Sequence, residues 1–415
     1  MSLETHIAGS DDRLIDGLHF AGKNTASYVT SRSSVSFAPQ TASNFKPSGS
    51  RLMRFSLADQ QGWLDGGTVR LVFKITNLHV SGSLQPITYS PASMFRRMRV
   101  IANGSAVIED IEDYGRVHQM FSELLPAQRR FNNTAESWGG AFLASGLDSP
   151  VHIAPIESDC ERTVCVHLMS SFLGQGKMIP LSMVPVILEL ELGEMDDCFL
   201  GGAGDNAWEI SRPRLIADVL QVDQALQNSY ASHLLSSKSL PIAMTGMYSV
   251  KSAVPTGSSL YSFPIARGFT RLSAVYISFW DGLGKYVNFS PLNGKDNTAD
   301  NDDFEFYINV GSDRYPQFSV DSHQECFYRL RLARQMAQGN DAMSIAPHAY
   351  VRNKFITALN LEKVPGASSH SGINTRSGSQ LTLNIRNSAS ATTCHVILVY
   401  DQVCNISAAG VEVLD

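Results

Sequence analysis

The chain of 415 residues has little charge, few cysteines and no long apolar run. Charged residues make up 17% of it, below the roughly one quarter that is usual in globular proteins, and the formal net charge is −6. That balance excludes a strongly basic protein that coats nucleic acid, while a local basic patch stays open. No run of about eighteen apolar residues occurs, so no membrane-spanning helix is predicted. The polar, acidic start does not resemble a signal peptide, which predicts a protein that is not secreted.

The six cysteines are too sparse in so long a chain to form a disulfide scaffold. They are Cys160, Cys165, Cys198, Cys326, Cys394 and Cys404. Most lie in or beside apolar segments, where cysteine behaves as a small hydrophobic residue. We therefore expect reduced, buried thiols in an intracellular protein.

Signatures of catalysis are also lacking. The chain has no His-Glu-x-x-His zinc motif, no Gly-x-Ser-x-Gly elbow and no Gly-Lys-Ser/Thr phosphate loop. The glycine run at residues 201–205 leads into a strand rather than a helix, so it predicts a turn. Glu189 and Glu191 lie about 7 Å apart by strand rise, a separation that a glycosidase could use. An alternating solvent face accounts for this pair equally well.

Two groups of side chains have the chemistry of metal ligands but not the spacing. Cys160, Cys165 and His167 match no common zinc motif, which favours packing or solvent exposure. The acidic stretch at residues 296–305 lacks the glycine and the final glutamate of a calcium loop, which favours a solvated loop. Its acidic residues are Asp296, Asp300, Asp302, Asp303 and Glu305. We predict no catalytic, metal-binding or cofactor-binding residues, no cofactor and no enzymatic activity.

What the sequence does contain is alternation of apolar and polar residues in many short segments. In residues 186–192, four of the apolar side chains share one face, and Glu189 and Glu191 lie on the other. The same period recurs in residues 69–75, 304–310 and 381–386. A period of two indicates β-strands with one buried face. Many such strands between turns rich in Gly, Pro, Asn and Ser predict an all-β fold of sandwiches.

The length exceeds what one sandwich core fills, which favours two domains. Residues 1–50 lack sustained periodicity and predict an N-terminal arm, with a short helix near residues 12–18. Residues 51–224 are expected to form the first sandwich, 225–240 a helical connector and 241–415 the second sandwich. In the first sandwich we expect strands near residues 51–57, 68–77, 94–102, 161–169, 184–192 and 213–222. In the second we expect them near residues 245–253, 258–265, 270–280, 303–310, 350–359, 379–386 and 393–401.

Each half is expected to carry one inserted helix. In the first half, Asp113 is a candidate N-cap, and Pro126 is expected to end the helix. In the second half, Ser322 and Glu325 have the spacing of a capping box that begins a helix, and Gly339 is expected to end it.

Two arginine clusters are candidates for a contact with phosphate. They are Arg96, Arg97 and Arg99 at the start of a predicted strand, and Arg329, Arg331 and Arg334 on the second predicted helix. No aromatic platform is expected between these arginines, and acidic loops are abundant, so we favour salt bridges. Whether either cluster faces a genome stays open.

Seven segments occur in an order that is familiar from one family of proteins. They are residues 52–57 (LMRFSL) with 63–75 (WLDGGTVRLVFKI), 93–104 (SMFRRMRVIANG), 170–180 (SSFLGQGKMIP), 318–322 (FSVDS) with 328–330 (YRL), and 396–403 (VILVYDQV). This order resembles that of double-jelly-roll major capsid proteins, and among them the group of Polintons, adintoviruses and related double-stranded DNA viruses. The resemblance covers nearly the whole chain beyond the arm and rests on segment order, not on an invariant signature.

The resemblance implies two upright jelly rolls in tandem, with one short helix inserted in each, and a homotrimer that forms a pseudo-hexameric capsomer. Such capsomers tile an icosahedral shell around double-stranded DNA, which implies a structural protein of the virion. Its main partner would be itself, with penton and minor capsid proteins beside it and only indirect contact with packaged DNA. Assembly would occur inside the host cell, the arm would join neighbouring capsomers, and residues 51–75 are expected among the trimer contacts.

Two other classes of protein are left open. A carbohydrate- or receptor-binding β-sandwich, such as a viral spike or lectin-like module, would need exposed Trp or Tyr side chains in one set of loops. The four tryptophans are instead scattered along the chain, as Trp63, Trp138, Trp208 and Trp280. An enzyme on paired jelly rolls, of the cupin or glycoamidase kind, would need a pair of histidine ligands, and no His-x-His occurs among the eleven histidines.

Overall fold

The protein is seen here as a computed structural model that describes most of the chain. The described residues are 28–58, 62–139, 153–200, 207–255, 260–280, 286, 288, 305–334, 343–364, 371–376, 380–386 and 392–415. Within these ranges no helix is long and apolar enough to span a membrane.

The strands of the first half are β1 (Val29–Phe37), β2 (Asn44–Phe45), β3 (Leu52–Leu57), β4 (Gly62–Asn77), β5 (Gln85–Pro86), β6 (Phe95–Ala102), β7 (Ala106–Glu112), β8 (Glu161–His167), β9 (Ile179–Pro180), β10 (Val186–Leu192), β11 (Phe199–Leu200) and β12 (Trp208–Val222). Those of the second half are β13 (Leu240–Val254), β14 (Tyr261–Ile265), β15 (Leu272–Trp280), β16 (Glu305–Val310), β17 (Asp313–Val320), β18 (Ile356–Asn360), β19 (Leu381–Arg386), β20 (Thr392–Ser407) and β21 (Gly410–Leu414). The helices are α1 (Tyr114–Glu123), α2 (Ala127–Trp138), α3 (Ser171–Gly174), α4 (Gln224–Leu235), α5 (His323–Ala333) and α6 (Pro347–Arg352).

These strands form two antiparallel sandwiches in tandem, as the alternation predicts. In the first, a sheet of order β1-β12-β4-β8, extended by β2 and β9, faces a sheet of order β3-β10-β6-β7. In the second, a sheet of order β13-β20-β15-β18, extended by β21, faces a sheet of order β14-β19-β16-β17. The prediction of an all-β protein with two β-sandwiches is confirmed.

The first core forms because the apolar face of each strand points between the sheets. Leu188 of β10 pairs with Phe55 of β3 on one side and with Val100 of β6 on the other, and all three are fully buried. Phe73 of β4 contacts Phe95 of β6 edge-to-face at 6.0 Å between ring centroids, which joins the two sheets. Burial of each such side chain contributes about 1.5–3 kcal/mol.

Strand β15 differs from its neighbours because both of its faces are covered. Eight of its nine residues are buried, so its sequence reads as a continuous apolar run. One face packs inside the second sandwich. On the other face, Tyr276 contacts Phe121 of α1 at 5.1 Å between ring centroids. Strand β15 therefore lies where the second sandwich meets the helices of the first.

Part of the predicted arm belongs to the first sheet. Strand β1 pairs antiparallel with β12, from Val29 opposite Val222 to Phe37 opposite Leu215, and Phe45 of β2 is fully buried. The expectation that the arm extends to residue 50 is therefore wrong for residues 29–45. Strand β1 gains its backbone hydrogen bonds at a sheet edge while most of its side chains stay exposed, so its sequence shows no apolar period.

The first half carries two consecutive helices where one is predicted. Pro126 does not simply end α1, because it occupies the N-cap of α2. The residue pre-sets a backbone angle that suits a helix start and lacks the N–H that a helix interior would need. Asp113 lies at the N-cap of α1, as predicted, but in the left-handed region at φ 50° and without a capping hydrogen bond from its side chain.

In the second half, the predicted start of the helix is confirmed. The Ser322 hydroxyl accepts a hydrogen bond from the Glu325 amide at 3.2 Å, and α5 follows. Gly339, the predicted end, lies outside the described residues, and α5 ends at Ala333. The strand predicted at residues 350–359 begins later, at Ile356, because Pro347 begins α6.

Candidate interaction surfaces

The junction between the sandwiches is built around Arg116 of α1. This side chain is buried, and its guanidinium carbon lies 3.8 Å from the ring centroid of Trp280. One guanidinium nitrogen donates to the Asn288 side-chain oxygen at 2.5 Å. Burial lowers the pKa of Arg116 to about 9, so the guanidinium stays protonated at neutral pH. A cation desolvated against an aromatic face is worth about 2 kcal/mol or more.

A second junction cluster surrounds the buried carboxylate of Glu123. Its Oε2 atom lies 2.8 Å from Lys354 Nζ in the second sandwich and 3.8 Å from Arg130 Nη1 on α2. Burial alone would lower the pKa of Lys354, but Glu123 and the Tyr89 hydroxyl outweigh it and raise that pKa above its ordinary value. Arg130 also donates to the Ser344 carbonyl at 2.9 Å, so both cations of the cluster connect the two sandwiches.

Two further links cross the junction. Asp113 accepts a hydrogen bond from Lys251 of β13 at 2.9 Å, which uses the carboxylate that the sequence assigns to capping. Gln402 of β20 donates to the Ile108 carbonyl of β7 at 3.2 Å. The helices of the first half thus act as structural elements of the junction.

Helix α1 approaches its neighbours closely because residue 115 is glycine. A Cβ atom at Gly115 would lie 2.7 Å from the Ser93 carbonyl oxygen and 2.9 Å from the Tyr286 hydroxyl. The Tyr286 hydroxyl donates to that same carbonyl at 2.5 Å. A larger residue would push α1 away from both neighbours.

The buried carboxylate of Glu109 is held by uncharged hydrogen-bond donors. It accepts hydrogen bonds from the Ser170 hydroxyl and, at 2.7 Å, from the Ser171 amide. Burial raises its pKa, and these hydrogen bonds offset part of that rise. Ser170 also accepts from the Leu173 amide at 3.2 Å and so caps α3.

The first arginine cluster forms salt bridges. Arg97 donates two hydrogen bonds to the Asp110 carboxylate, from Nε at 2.7 Å and from Nη2 at 2.6 Å. Arg99 lies 2.6 Å from Glu189, which also lies 3.6 Å from Arg54 on the opposite neighbouring strand. Glu189 is therefore buried beneath two arginines, which corrects the prediction of an open solvent face for this residue. Arg96, at the end of the cluster, is exposed.

The second arginine cluster combines a salt bridge with aromatic contacts. Arg329 pairs with Glu325 one turn earlier at 3.1 Å. Its guanidinium carbon also lies 5.2 Å from the Phe318 ring and 5.9 Å from the Tyr328 ring. The prediction that no aromatic residues interleave these arginines is wrong here. Arg334 lines the cavity between the sandwiches together with Tyr276.

Phe318, Tyr328 and Arg329 together form the β17–α5 surface. Phe318 is 59% exposed and Tyr328 52% exposed, although both are large and apolar. Among the described strands, β17 pairs with β16 alone, so it lies at the edge of the described sheet. Aromatic residues and arginine are enriched in protein–protein contacts, which makes this surface a candidate for one.

The cysteine and histidine candidates show no metal site. Cys165 and His167 share a face of β8 and line a cavity of about 390 Å³ between the sandwiches. Among the described residues, no group of three His, Cys, Asp or Glu side chains could hold a metal ion. Burial lowers the pKa of His118, in the same cavity, to about 4, so its ring is neutral.

The thiols follow the sequence prediction in part. All six cysteines lie in described ranges and are free. Four are buried, whereas Cys165 is half-buried and Cys160 is exposed, which corrects the expectation for those two. The glycine run at 201–205 and the aspartates at 296–303 lie outside the described residues.

The junction residues Arg116, Glu123 and Lys354 escape sequence reasoning. Charged residues beside an apolar helix stripe are usually solvated, and the partners of these residues across the junction lie more than a hundred residues away in the chain. The local signal is a glycine next to Arg116 on a strongly amphipathic helix.

No family model matches this sequence, and no curated protein matches it. Solved structures do match. VP54 of PBCV-1, fitted into a reconstruction of the virophage Sputnik, is similar at a TM-score of 0.64 and 11% identity, over 96% of this chain and 100% of that one. The Faustovirus major capsid protein is similar at a TM-score of 0.65 and 8% identity, over 98% of this chain and 94% of that one. A chain from the structure of the Sputnik virophage is similar at a TM-score of 0.56 and 11% identity, over 97% of this chain and 92% of that one.

Identities this low establish shape rather than activity, and the shared shape extends over nearly the full length of each chain. The predicted fold is confirmed, while the assignment to the Polinton and adintovirus group stays a prediction. The chain has the double-jelly-roll fold of these viral major capsid proteins.

Proposed function

We propose that this chain is a major capsid protein, whose homotrimers form pseudo-hexameric capsomers that tile an icosahedral virion shell. The observation that carries the proposal is the match of both sandwiches together. VP54 is covered over 100% of its length and this chain over 96%, so the likeness includes the order and placement of the two jelly rolls. A single binding module would need only one of them.

The junction suits such a role. Three copies of a two-sandwich chain present six similar lobes only if each pair keeps a fixed spacing. The buried contacts of Arg116 and Glu123 fix that spacing within one chain. A three-fold ring then closes through contacts between unlike faces of adjacent copies.

We infer that the β17–α5 surface is one of these faces. It combines an exposed sheet edge with Phe318, Tyr328 and Arg329, the residue types that dominate the energetics of interfaces. Of the region 51–75, β4 has neighbours along both of its sides, whereas β3 lies at the end of its sheet. The outer edge of β3 is itself covered in part, because the Gln40 amide donates to the Arg54 carbonyl at 2.7 Å and the Thr41 hydroxyl donates to the Leu52 carbonyl at 2.9 Å. A contact through β3 would therefore use its outward side chains, such as the exposed Leu52, rather than a free strand edge.

The partners in this proposal are further copies of the chain, with penton and minor capsid proteins at special positions of the shell. Contact with packaged DNA is indirect, because Arg97, Arg99 and Arg329 already pair with carboxylates. The proposed location is the virion, after assembly inside the host cell. A glycan-binding alternative receives no support from Trp63, Trp138 and Trp208, which are buried.

Light scattering after size-exclusion chromatography, followed by negative-stain electron microscopy, tests the proposal. We expect a mass three times the 45.3 kDa of the chain and three-fold particles with six lobes. Monomers at every concentration would contradict it. Phe318→Asp should dissociate the trimer without unfolding the chain, whereas Val80→Asp, at an isolated position that is 90% exposed, should leave it intact.

A further inference from the structure

An apolar groove lies where the first sandwich, the connector helix α4 and the second sandwich meet. Its volume is about 450 Å³. Its wall is formed by Trp63, Leu220, Leu226, Tyr230, Ile242 and Met178, and Lys177 lies at its rim. We call it the connector groove. It is distinct from the β17–α5 surface and plays no part in the proposed trimer contacts.

The connector helix α4 leaves apolar side chains partly exposed on the side that faces this groove. Only Leu234 of its twelve residues is buried, while Leu226 and Tyr230 are half-exposed. Tyr230 contacts Trp63 at 5.0 Å between ring centroids, which leaves the rest of that helix face open. An isolated helix of this length is marginal in water, so an apolar cover would stabilise it.

The N-terminal arm reaches the described part of the chain at this place. The Tyr28 carbonyl accepts a hydrogen bond at 2.8 Å from the amide of Asp223, the N-cap residue of α4. Val29 lines the connector groove itself. Residues 1–27 are therefore tethered at the start of the helix whose apolar face is open.

The arm contains a segment whose chemistry matches the groove. Leu14, Ile15 and Leu18 have the spacing of one face of a helical turn, and Phe20 follows. Residues 11–16 include three aspartates and one arginine, which complements the ammonium group of Lys177 at the rim. The segment can cover apolar surface with one face and present its carboxylates to the other side.

The link between Leu18 and Tyr28 is long enough to reach along α4 and short enough to keep the segment close to its own chain. The nine residues between Leu18 and Tyr28 span up to about 30 Å when extended. Helix α4 is only about 18 Å long, since each residue rises 1.5 Å. A short covalent link also gives its own segment an effective concentration in the millimolar range, which favours this segment over that of another copy of the chain.

We propose that residues 12–20 of the arm dock in the connector groove of their own chain and cover the apolar face of α4. The part of the arm that is described already behaves in this way, because β1 adds to the sheet of its own chain through β12. The inference does not depend on the capsid role, since it concerns one chain by itself.

A disulfide trap tests the docking in the full-length protein. Leu18→Cys is combined with Met178→Cys, a groove residue that is 38% exposed, in a Cys160→Ser background that removes the exposed native thiol. The control pairs Leu18→Cys with Val80→Cys, which lies beyond the far end of β4, about 45 Å from Trp63 along that strand. After mild oxidation and digestion, we expect an intramolecular disulfide between the two introduced thiols of the test pair, at least about tenfold more abundant than the control disulfide.

Equal yields for the two pairs would overturn the proposal, and so would disulfides that join separate chains. A second readout uses hydrogen exchange on the chain that carries both Leu14→Asp and Leu18→Asp. We expect amides of α4 to exchange at least about fivefold faster, with those of β10 unchanged as evidence of an intact fold. Unchanged exchange in α4 would also overturn the proposal. Neither result alters the expected trimer mass, so the two proposals fail separately.

Discussion

The junction between the sandwiches and the outer edge of the first sheet use the same kinds of ion pair in opposite surroundings. At the junction, the Glu123 and Arg130 side chains are each 8% exposed. At the edge, Arg32 of β1 is 51% exposed and pairs with Asp218 at 2.7 Å and Asp65 at 3.2 Å. The edge distances are as short as those at the junction, so geometry alone does not rank these contacts. Access to solvent ranks them, because a buried ion that loses its partner cannot be solvated by water, whereas an exposed ion can.

Aromatic contacts repeat the comparison. Arg116 lies 3.8 Å from the Trp280 ring at the junction, and Arg314 of the edge strand β17 lies 3.8 Å from the Tyr307 ring of β16. Arg116 is buried, whereas Arg314 is exposed. We therefore expect single contacts at the junction to contribute much to the free energy of unfolding, and single contacts at the sheet edges to contribute little.

The largest effect is expected for Glu123→Ala. The substitution leaves the buried Arg130 and the half-buried Lys354 without a carboxylate, which should lower the free energy of unfolding by about 3–5 kcal/mol. Urea denaturation followed by circular dichroism measures it. Glu161→Ala removes the partner of Lys74 at a position that is 52% exposed, and should cost less than about 1 kcal/mol. Similar losses for both variants would refute the comparison.

Trp280→Leu should cost about 2 kcal/mol beyond the change in apolar area, because Arg116 loses a desolvated aromatic face. The matched variant Tyr307→Leu removes an aromatic face at the same distance from Arg314 in an exposed setting, where about 0.5–1 kcal/mol is expected. Thermal unfolding of the two variants gives the ratio of their losses in stability. A ratio near one would show that burial does not decide these contacts.

Glu109→Gln should change how stability depends on pH. Burial raises the folded-state pKa of Glu109 above its ordinary value of 4.5, so between these two pKa values the folded chain binds more protons than the unfolded chain. Stability therefore falls as pH rises through that interval and reaches its lower level above the folded-state pKa. Relative to the native chain, the variant should gain stability as pH rises from 4.5 through the folded-state pKa of Glu109, as measured by denaturation at a series of pH values. Parallel pH profiles would show that Glu109 does not titrate in this way.

The smallest effect is expected for Arg32→Gln at the sheet edge. Its two carboxylate partners remain solvated, so the loss should be below about 1 kcal/mol and should shrink further in about 0.5 M salt. Urea midpoints at low and high salt measure both quantities. A salt-independent loss of several kcal/mol would place this edge in the same class as the junction.

Strand positions follow from sequence wherever a strand buries one face. Strands β3, β10 and β19 fall within a residue or two of their predicted bounds because each has a strict apolar period. The shorter or more exposed strands escape prediction, as β1 and β17 show, because an edge strand is held by backbone hydrogen bonds that any side chain permits.

The candidate surfaces are less accessible to sequence reasoning. Salt bridges are correctly favoured for Arg97, Arg99 and Arg329, since acidic residues abound near them. Glu189 shows the limit of that reasoning, because only strand pairing reveals that arginines from both neighbouring strands cover it.

By itself, the sequence determined the all-β class, the two sandwiches and the apolar face of their longer strands, because side-chain alternation along a strand is a local property. Only the tertiary structure decided how the sandwiches join, that Asp113 binds Lys251 rather than capping a helix, and that the connector groove lies beside Val29 at the start of β1. These features depend on residues far apart in the chain, and no local pattern carries that information.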